Sequence, residues 1–115
     1  LDADGFLFLT DRKKDMIISG GENIASSEVE RVVYELLQVS EVAVIGVPDK
    51  RWGERPVAFV VLAPGGSLDL GALTAHCRAK LAGFKVPKDL VLRDSLPRNP
   101  SGKILKRELR EELDR

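Results

Sequence analysis

The strongest constraint on the fold is a pair of continuous apolar runs, Val42-Ala43-Val44-Ile45-Gly46-Val47 and residues 57–62. The first is ended by Pro48-Asp49 and the second by Pro64-Gly65-Gly66. β-Branched side chains crowd both runs and suit a pleated strand, whereas proline and glycine interrupt one. Both runs read as buried strands. Nine residues separate Val47 from Val57, enough for a loop holding Trp52 and Gly53 yet short enough for antiparallel pairing.

Helical periodicity surrounds this pair. Val29, Val32, Val33, Leu36 and Leu37 fall at i, i+3, i+4, i+7 and i+8, one apolar stripe, and Ser27 with Glu30 three residues later reads as a capping box. Leu70, Leu73, Cys77 and Leu81 mark a second amphipathic helix, started by Ser67 or Asp69 and stopped near Gly83. Residues 88–93 give a third short strand around Leu90, Val91 and Leu92. A charged helix then starts near Ile104, with Leu105 and Leu109 as its thin apolar stripe. Ahead of all these, a polar turn leads into Phe6, Leu7, Phe8 and Leu9, and a second short strand at 15–19 follows Asp11-Arg12-Lys13-Lys14. That pattern predicts an N-terminal β-hairpin-like element. Gly20-Gly21-Glu22-Asn23 reads as a tight turn between strand and helix. The predicted fold class is α+β, a small sheet with helices laid on one face.

Length and composition narrow the function. A chain of 115 residues is one ordinary domain with one core. Its apolar runs fall far short of the ~20 residues that a membrane span needs, so no transmembrane segment is expected. The single Cys77 can form no internal disulfide and has no second thiol for a zinc site, so no metal site is predicted and a reducing, cytoplasmic location fits. Leu stands at position 1 and the only methionine is Met16, which reads as a piece of a longer chain with a missing partner domain.

The charge balance hides an asymmetry. Eighteen basic residues match eighteen acidic ones, but residues 78–107 hold nine Lys or Arg against Asp89 and Asp94 alone. The remainder has nine basic residues against sixteen acidic. Such a stretch suits a phosphate-bearing ligand or, more blandly, a solvated basic face. With little aromatic interleaving beyond Phe84, no nucleic-acid partner is expected.

Chemistry concentrates in Leu96-Pro97-Arg98-Asn99-Pro100-Ser101-Gly102-Lys103, where prolines and a glycine present one lysine on a turn-rich, mobile loop. An ammonium on a long stem can approach carboxylate and phosphate oxygens together. A Walker loop is excluded, since it needs Ser or Thr after the Gly-Lys pair and Ile104 follows Lys103. His76 lacks a Ser, Cys or second His at catalytic spacing and reads as a helix-surface histidine. Cys77 reads as a small core residue. Trp52 caps either the core or a groove.

Seven segments together resemble the C-terminal domain of the AMP-forming acyl-CoA synthetases, whose superfamily includes firefly luciferase and the adenylation domains of peptide synthetases. They are Asp4-Gly5-Phe6, Asp11-Arg12-Lys13-Lys14-Asp15-Met16-Ile17, Gly20-Gly21-Glu22-Asn23-Ile24, Ser27-Glu28-Val29-Glu30, Asp49-Lys50-Arg51-Trp52-Gly53-Glu54, Phe84-Lys85-Val86-Pro87-Lys88 and the Lys103 segment. They occur in the family's order and spacing over essentially the whole chain.

The resemblance implies an acid–thiol ligase, most simply a fatty-acid–CoA ligase. A carboxylic acid and ATP, with Mg2+, give an acyl-adenylate, and coenzyme A then displaces AMP. It implies a mobile lid, residues 1–14 near the hinge and 15–115 the body, serving a large N-terminal domain, absent here, that carries most of the ATP and acyl sites. Lys103 matches the catalytic lysine of adenylation, Lys14 the hinge and Arg12 a nucleotide contact. Gly20 and Gly21 match a loop lining the pantetheine channel, and Phe84 a position that stacks on the coenzyme A adenine. The arginine some relatives carry two positions later is Val86 here, leaving Lys85 and Lys88 as phosphate partners. The alternatives are a non-catalytic nucleotide or coenzyme A binding module, and an adenylation domain that loads a carrier protein.

Overall fold

The two apolar runs form the centre of the sheet in the computed structural model, which describes residues 16–113. Strands β1 (Met16–Ser19), β2 (Glu22–Ala25), β3 (Val39–Asp49), β4 (Gly53–Leu62) and β5 (Asp89–Arg93) are joined by helices α1 (Ser26–Tyr34), α2 (Leu70–Arg78) and α3 (Lys106–Leu113). The sheet runs β2-β1-β4-β3, with β5 parallel to β4 beyond the short contact that β1 makes there. β3 and β4 pair antiparallel as expected, Val42 opposite Val60 and Ile45 opposite Val57. The predicted nine-residue loop is shorter than expected because both strands continue into it, leaving only Lys50, Arg51 and Trp52 between them.

The absence of polar alternation in β3 and β4 has a plain cause. Val42, Val44, Ala58 and Val60 face a core shared with Val29 and Val33 of α1 and Leu73 and Cys77 of α2. Ala43, Ile45, Val47, Val57, Phe59 and Val61 face a second core closed by Leu96 and Leu109. Strands covered on both faces need apolar residues at every position. The expectation of helices on one face is therefore corrected: α1 and α2 cover one face and α3 the other. The α+β class stands.

Local signals were overridden where tertiary partners compete. The predicted capping box is not formed, since α1 begins after Ala25 with no side-chain cap. Glu30 instead accepts from the Val44 amide at 2.8 Å and pairs with Lys106 at 2.8 Å. α1 ends at Tyr34, short of the predicted stripe: Leu36, just beyond the helix, still packs on the first core, and Leu37 is 96% exposed. β3 is an edge strand, and side chains occupy its free groups: Tyr34 Oη accepts from Val42, Glu30 from Val44, and Arg110 Nε donates to the Gly46 carbonyl at 3.1 Å. Edges covered in this way are poor templates for aggregation. α2 is capped by Asp69, which accepts from the Ala72 amide at 2.8 Å, and it ends at Arg78 rather than near Gly83.

The hairpin is also relocated. Its predicted first arm lies outside the described residues, and β1 pairs with β2, whose first two residues, Glu22 and Asn23, fall in the predicted tight turn. Gly20 and Gly21, at φ +61° and +82°, are the two central residues of the turn. Positive φ at both is the type I′ requirement that lets a two-residue turn follow the twist of its strands.

Candidate functional site

Two loci carry the sequence candidates, and the sheet separates them. The first is the segment leading to Lys103. Rather than an open loop, it is a closed turn organised by one side chain. Asn99 Oδ1 accepts from the Ser101 amide at 3.1 Å, the Ser101 hydroxyl at 2.8 Å and the Lys103 amide at 2.9 Å. The Asn99 amide donates to the Lys103 carbonyl at 2.9 Å, and the Gly102 amide to the Asn99 carbonyl at 2.9 Å. Gly102 sits at φ +89°, a conformation that costs glycine little. Lys103 is exposed at the end of this turn. The stem is apolar, with Leu96 buried and Ile104 half-buried in the second core.

The second locus is an open cleft of about 290 Å³ between the β1–β2 turn, the β3–β4 turn and the short helical turn Gly83–Lys85. Gly20, Trp52, Phe84 and Lys88 line it together with Glu22. Trp52 is set by Asp49, whose Oδ1 accepts from the Arg51 and Trp52 amides at 2.8 and 2.9 Å. The Trp52 amide foremost, with the Arg51 amide and the Arg55 guanidinium, holds the Asp49 carboxyl below its ordinary range. Arg55 joins that turn to β5, donating from Nε to Asp89 at 2.8 Å. The Trp52 ring carries two cations, Arg51 at 5.0 Å and Lys88 at 5.1 Å from its centroid. The Gly20 amide donates to the Trp52 carbonyl at 2.7 Å, which draws the glycine turn against the indole.

Of the residues expected around coenzyme A, the fold brings Gly20, Phe84 and Lys88 to this cleft. Gly21 is the next residue of the turn. Lys85 pairs with Glu28 of α1 at 2.9 Å and lies 5.7 Å from the Phe84 ring centroid. Val86 is a core residue. Arg12 and Lys14 lie outside the described residues. Sequence reasoning left Trp52 undecided between core and groove, and it is a wall of the cleft; the Gly-Gly pair facing a Trp-Gly turn was the signal available. His76 bridges the helices, its Nε2 2.9 Å from the Val32 carbonyl oxygen and 3.3 Å from Glu35. Burial, with Glu35 nearby, pushes the Cys77 thiol up to about 11.

The loci lie toward opposite ends of the central strands. Arg98, beside the Lys103 turn, pairs with Glu41 near the start of β3, whereas Trp52 follows its last residue, Asp49. Eight residues of strand, about 26 Å at roughly 3.3 Å each, lie between these anchor points.

A model of the AMP-binding enzyme C-terminal domain matches residues 28–103. The chain belongs to this family. Feruloyl-CoA synthase of an Amycolatopsis species is 54% identical over 110 residues, 96% of this chain and 22% of that enzyme. Long-chain-fatty-acid–CoA ligase FadD13 of Mycobacterium tuberculosis is 47% identical over 112 residues, 97% of this chain and 22% of that enzyme. The structure of ATP-bound MatB from Rhodopseudomonas palustris superposes with a TM-score of 0.84 at 39% identity, covering 87% of this chain and 20% of that one. The chain therefore corresponds to a C-terminal domain and spans only 22% of the length of these ligases. The family match ends on Lys103, and the glycine turn precedes it. Among the described residues no group of three His, Cys, Asp or Glu side chains converges as a metal site, and no helix is long and apolar enough to cross a membrane.

Proposed function

We propose that this domain serves both half-reactions of an ATP-dependent, AMP-forming acyl-CoA ligase, using the Lys103 turn for the first and the Trp52 cleft for the second. In the first step a carboxylate oxygen attacks the α-phosphorus of ATP and pyrophosphate leaves. A cation that bridges the two anionic groups positions them and offsets the charge that develops between them, which is the role assigned to Lys103. In the second step the thiol of coenzyme A attacks the acyl carbon and AMP leaves. Gly20 and Gly21 would let backbone approach the thiol arm, Phe84 and Trp52 offer ring faces, and Lys88 offers a cation to phosphate.

The observation that carries this reading is the separation of the two loci along β3. A single rigid placement against one active centre cannot present both, so the domain must reorient between steps. Lys14 is the proposed pivot and Arg12 a nucleotide contact. The partner is an N-terminal domain of the same protein that holds most of the ATP, the Mg2+ and the acyl group. The acid is proposed to be a fatty acid, and the location cytoplasmic, where the lone Cys77 stays reduced.

The test is Lys103→Ala in the full ligase. Acyl-adenylate formation, followed by pyrophosphate release, is expected to fall at least ~10²-fold, while thioester formation from supplied acyl-adenylate persists. Equal loss of both half-reactions would sink the assignment.

A further inference from the structure

The hydrogen bonds of Asn99 close the Lys103 turn upon itself but do not fix it relative to the sheet. A second residue does. Arg98 Nη1 donates to the carbonyl of Gly102 at 2.7 Å, the peptide group immediately before Lys103. Its Nη2 pairs with the carboxylate of Glu41 on β3. One planar guanidinium thus spans the lysine turn and the central strand pair, a task its fixed fork suits and a lysine ammonium does not.

Glu41 is placed for this by an irregularity in β3. Val39 pairs with Leu62 and Glu41 with Val61, so Ser40 is an extra residue on its strand. Such bulges bend a strand locally and re-aim its side chains. The pair is only part-exposed, with 29% of the Glu41 side chain and 41% of the Arg98 side chain open to solvent. The apolar stem, held by Leu96 and Ile104, is the competing means of fixing the turn.

We infer that Glu41 is a positioning residue for adenylation: through Arg98 and the Gly102 carbonyl it sets where the Lys103 ammonium is delivered. This rests on the assignment of Lys103 to that half-reaction. Among the described residues, the bonds that set the Trp52 cleft involve neither Glu41 nor Arg98, so the effect should be confined to one step.

The experiment uses the full ligase with Glu41→Gln, Arg98→Lys, the double variant and Lys103→Ala, and scores the two half-reactions separately. Misplacing a catalytic group by ~1 Å can cost ~10²-fold, and the retained stem limits the displacement. Glu41→Gln, which keeps shape and loses charge, is expected to lower the turnover of adenylation about 10-fold, with KM for ATP unchanged. Arg98→Lys should do at least as much. The double variant should be no slower than Arg98→Lys alone, because both act along one path. Thioester formation should stay within about twofold of wild type, and thermal unfolding of each variant separates misplacement from misfolding.

Loss of both half-reactions together, additive effects, or a wild-type adenylation rate for Glu41→Gln would each overturn the tether. If Lys103→Ala is inactive in adenylation and Glu41→Gln is not impaired, the tether alone fails. If Lys103→Ala itself adenylates normally, the role of the turn fails and the tether with it.

Discussion

Alanine at Gly20 and alanine at Gly21 impose nearly the same backbone cost but different side-chain contacts, which makes the pair a controlled test of the cleft. Both positions hold positive φ, +61° and +82°. An L-residue there costs roughly 1–2 kcal/mol, partly offset by about 0.4–1 kcal/mol from the reduced freedom of the unfolded chain. Each variant should therefore lose about 1 kcal/mol, a drop of roughly 0.3–1 M in the urea midpoint. The difference lies in the methyl group. At Gly20 it would stand 3.3 Å from Cε3 and 3.7 Å from Cζ3 of Trp52, whereas at Gly21 it meets nothing within 4 Å. The Trp52 carbonyl is tied to the Gly20 amide at 2.7 Å, so the backbone cannot slide away and the ring must yield. Gly20→Ala should shift the emission of Trp52, the chain's single tryptophan. In the full ligase it should slow thioester formation about 10-fold, the scale of a modest misplacement. Gly21→Ala, whose methyl does not reach the ring, should leave the emission unchanged, and both should adenylate normally. Identical emission in the two variants would refute the contact as a determinant of the cleft.

Leu109 is the fully buried anchor of α3 in the second core, so Leu109→Ala should cost about 2–5 kcal/mol, read as a lower urea midpoint; a loss under about 0.5 kcal/mol would mean that the helix is held otherwise. Cys77, raised by burial to about 11 from an ordinary 9.0, favours the folded state in full below pH 9, and that advantage is lost as pH rises through about 11. The midpoint difference between wild type and Cys77→Ala should accordingly narrow over that window, and a constant difference would contradict the assignment.

Contiguity decided what was legible. β3, β4 and the stripe of α1 are each written in adjacent or helically spaced residues, and their pairing followed from a short connection. α3 was visible as an amphipathic segment, but its stripe names no face of the sheet; that choice is made by Leu109 joining the second core, which Ile45 and Phe59 also line. The capping box failed because Glu30 has partners 14 and 76 residues away, the Val44 amide and Lys106, and no local rule weighs those. β2 was missed because Glu22, Asn23 and Ala25 are weak strand formers, although two glycines between short segments are themselves a hairpin signal. Around the cleft, the resemblance supplied Gly20, Phe84 and Lys88 but left Trp52 open. The Asp49 carboxylate orients it by binding two amides in a turn that reads, in sequence, as an ordinary loop.

The neutral total of charges has a structural meaning. The basic stretch 78–107 does not form one solvated face. Lys80, Lys85, Lys106 and Arg98 meet Glu35, Glu28, Glu30 and Glu41, all on or next to α1 and the start of β3. Arg93 meets Glu112 of α3. Apart from Lys106 with Glu30, which is largely covered, these are partly exposed pairs that contribute about 0–1 kcal/mol each, so they do not hold the fold against its conformational entropy. Their consequence is alignment: an acidic first half and a basic second half match when α1, the Lys103 turn and α3 sit in the observed arrangement, and like charges would meet in others. It also narrows the phosphate reading. Much of the local excess is answered within the domain, so an anionic ligand would not be met by a general basic surface.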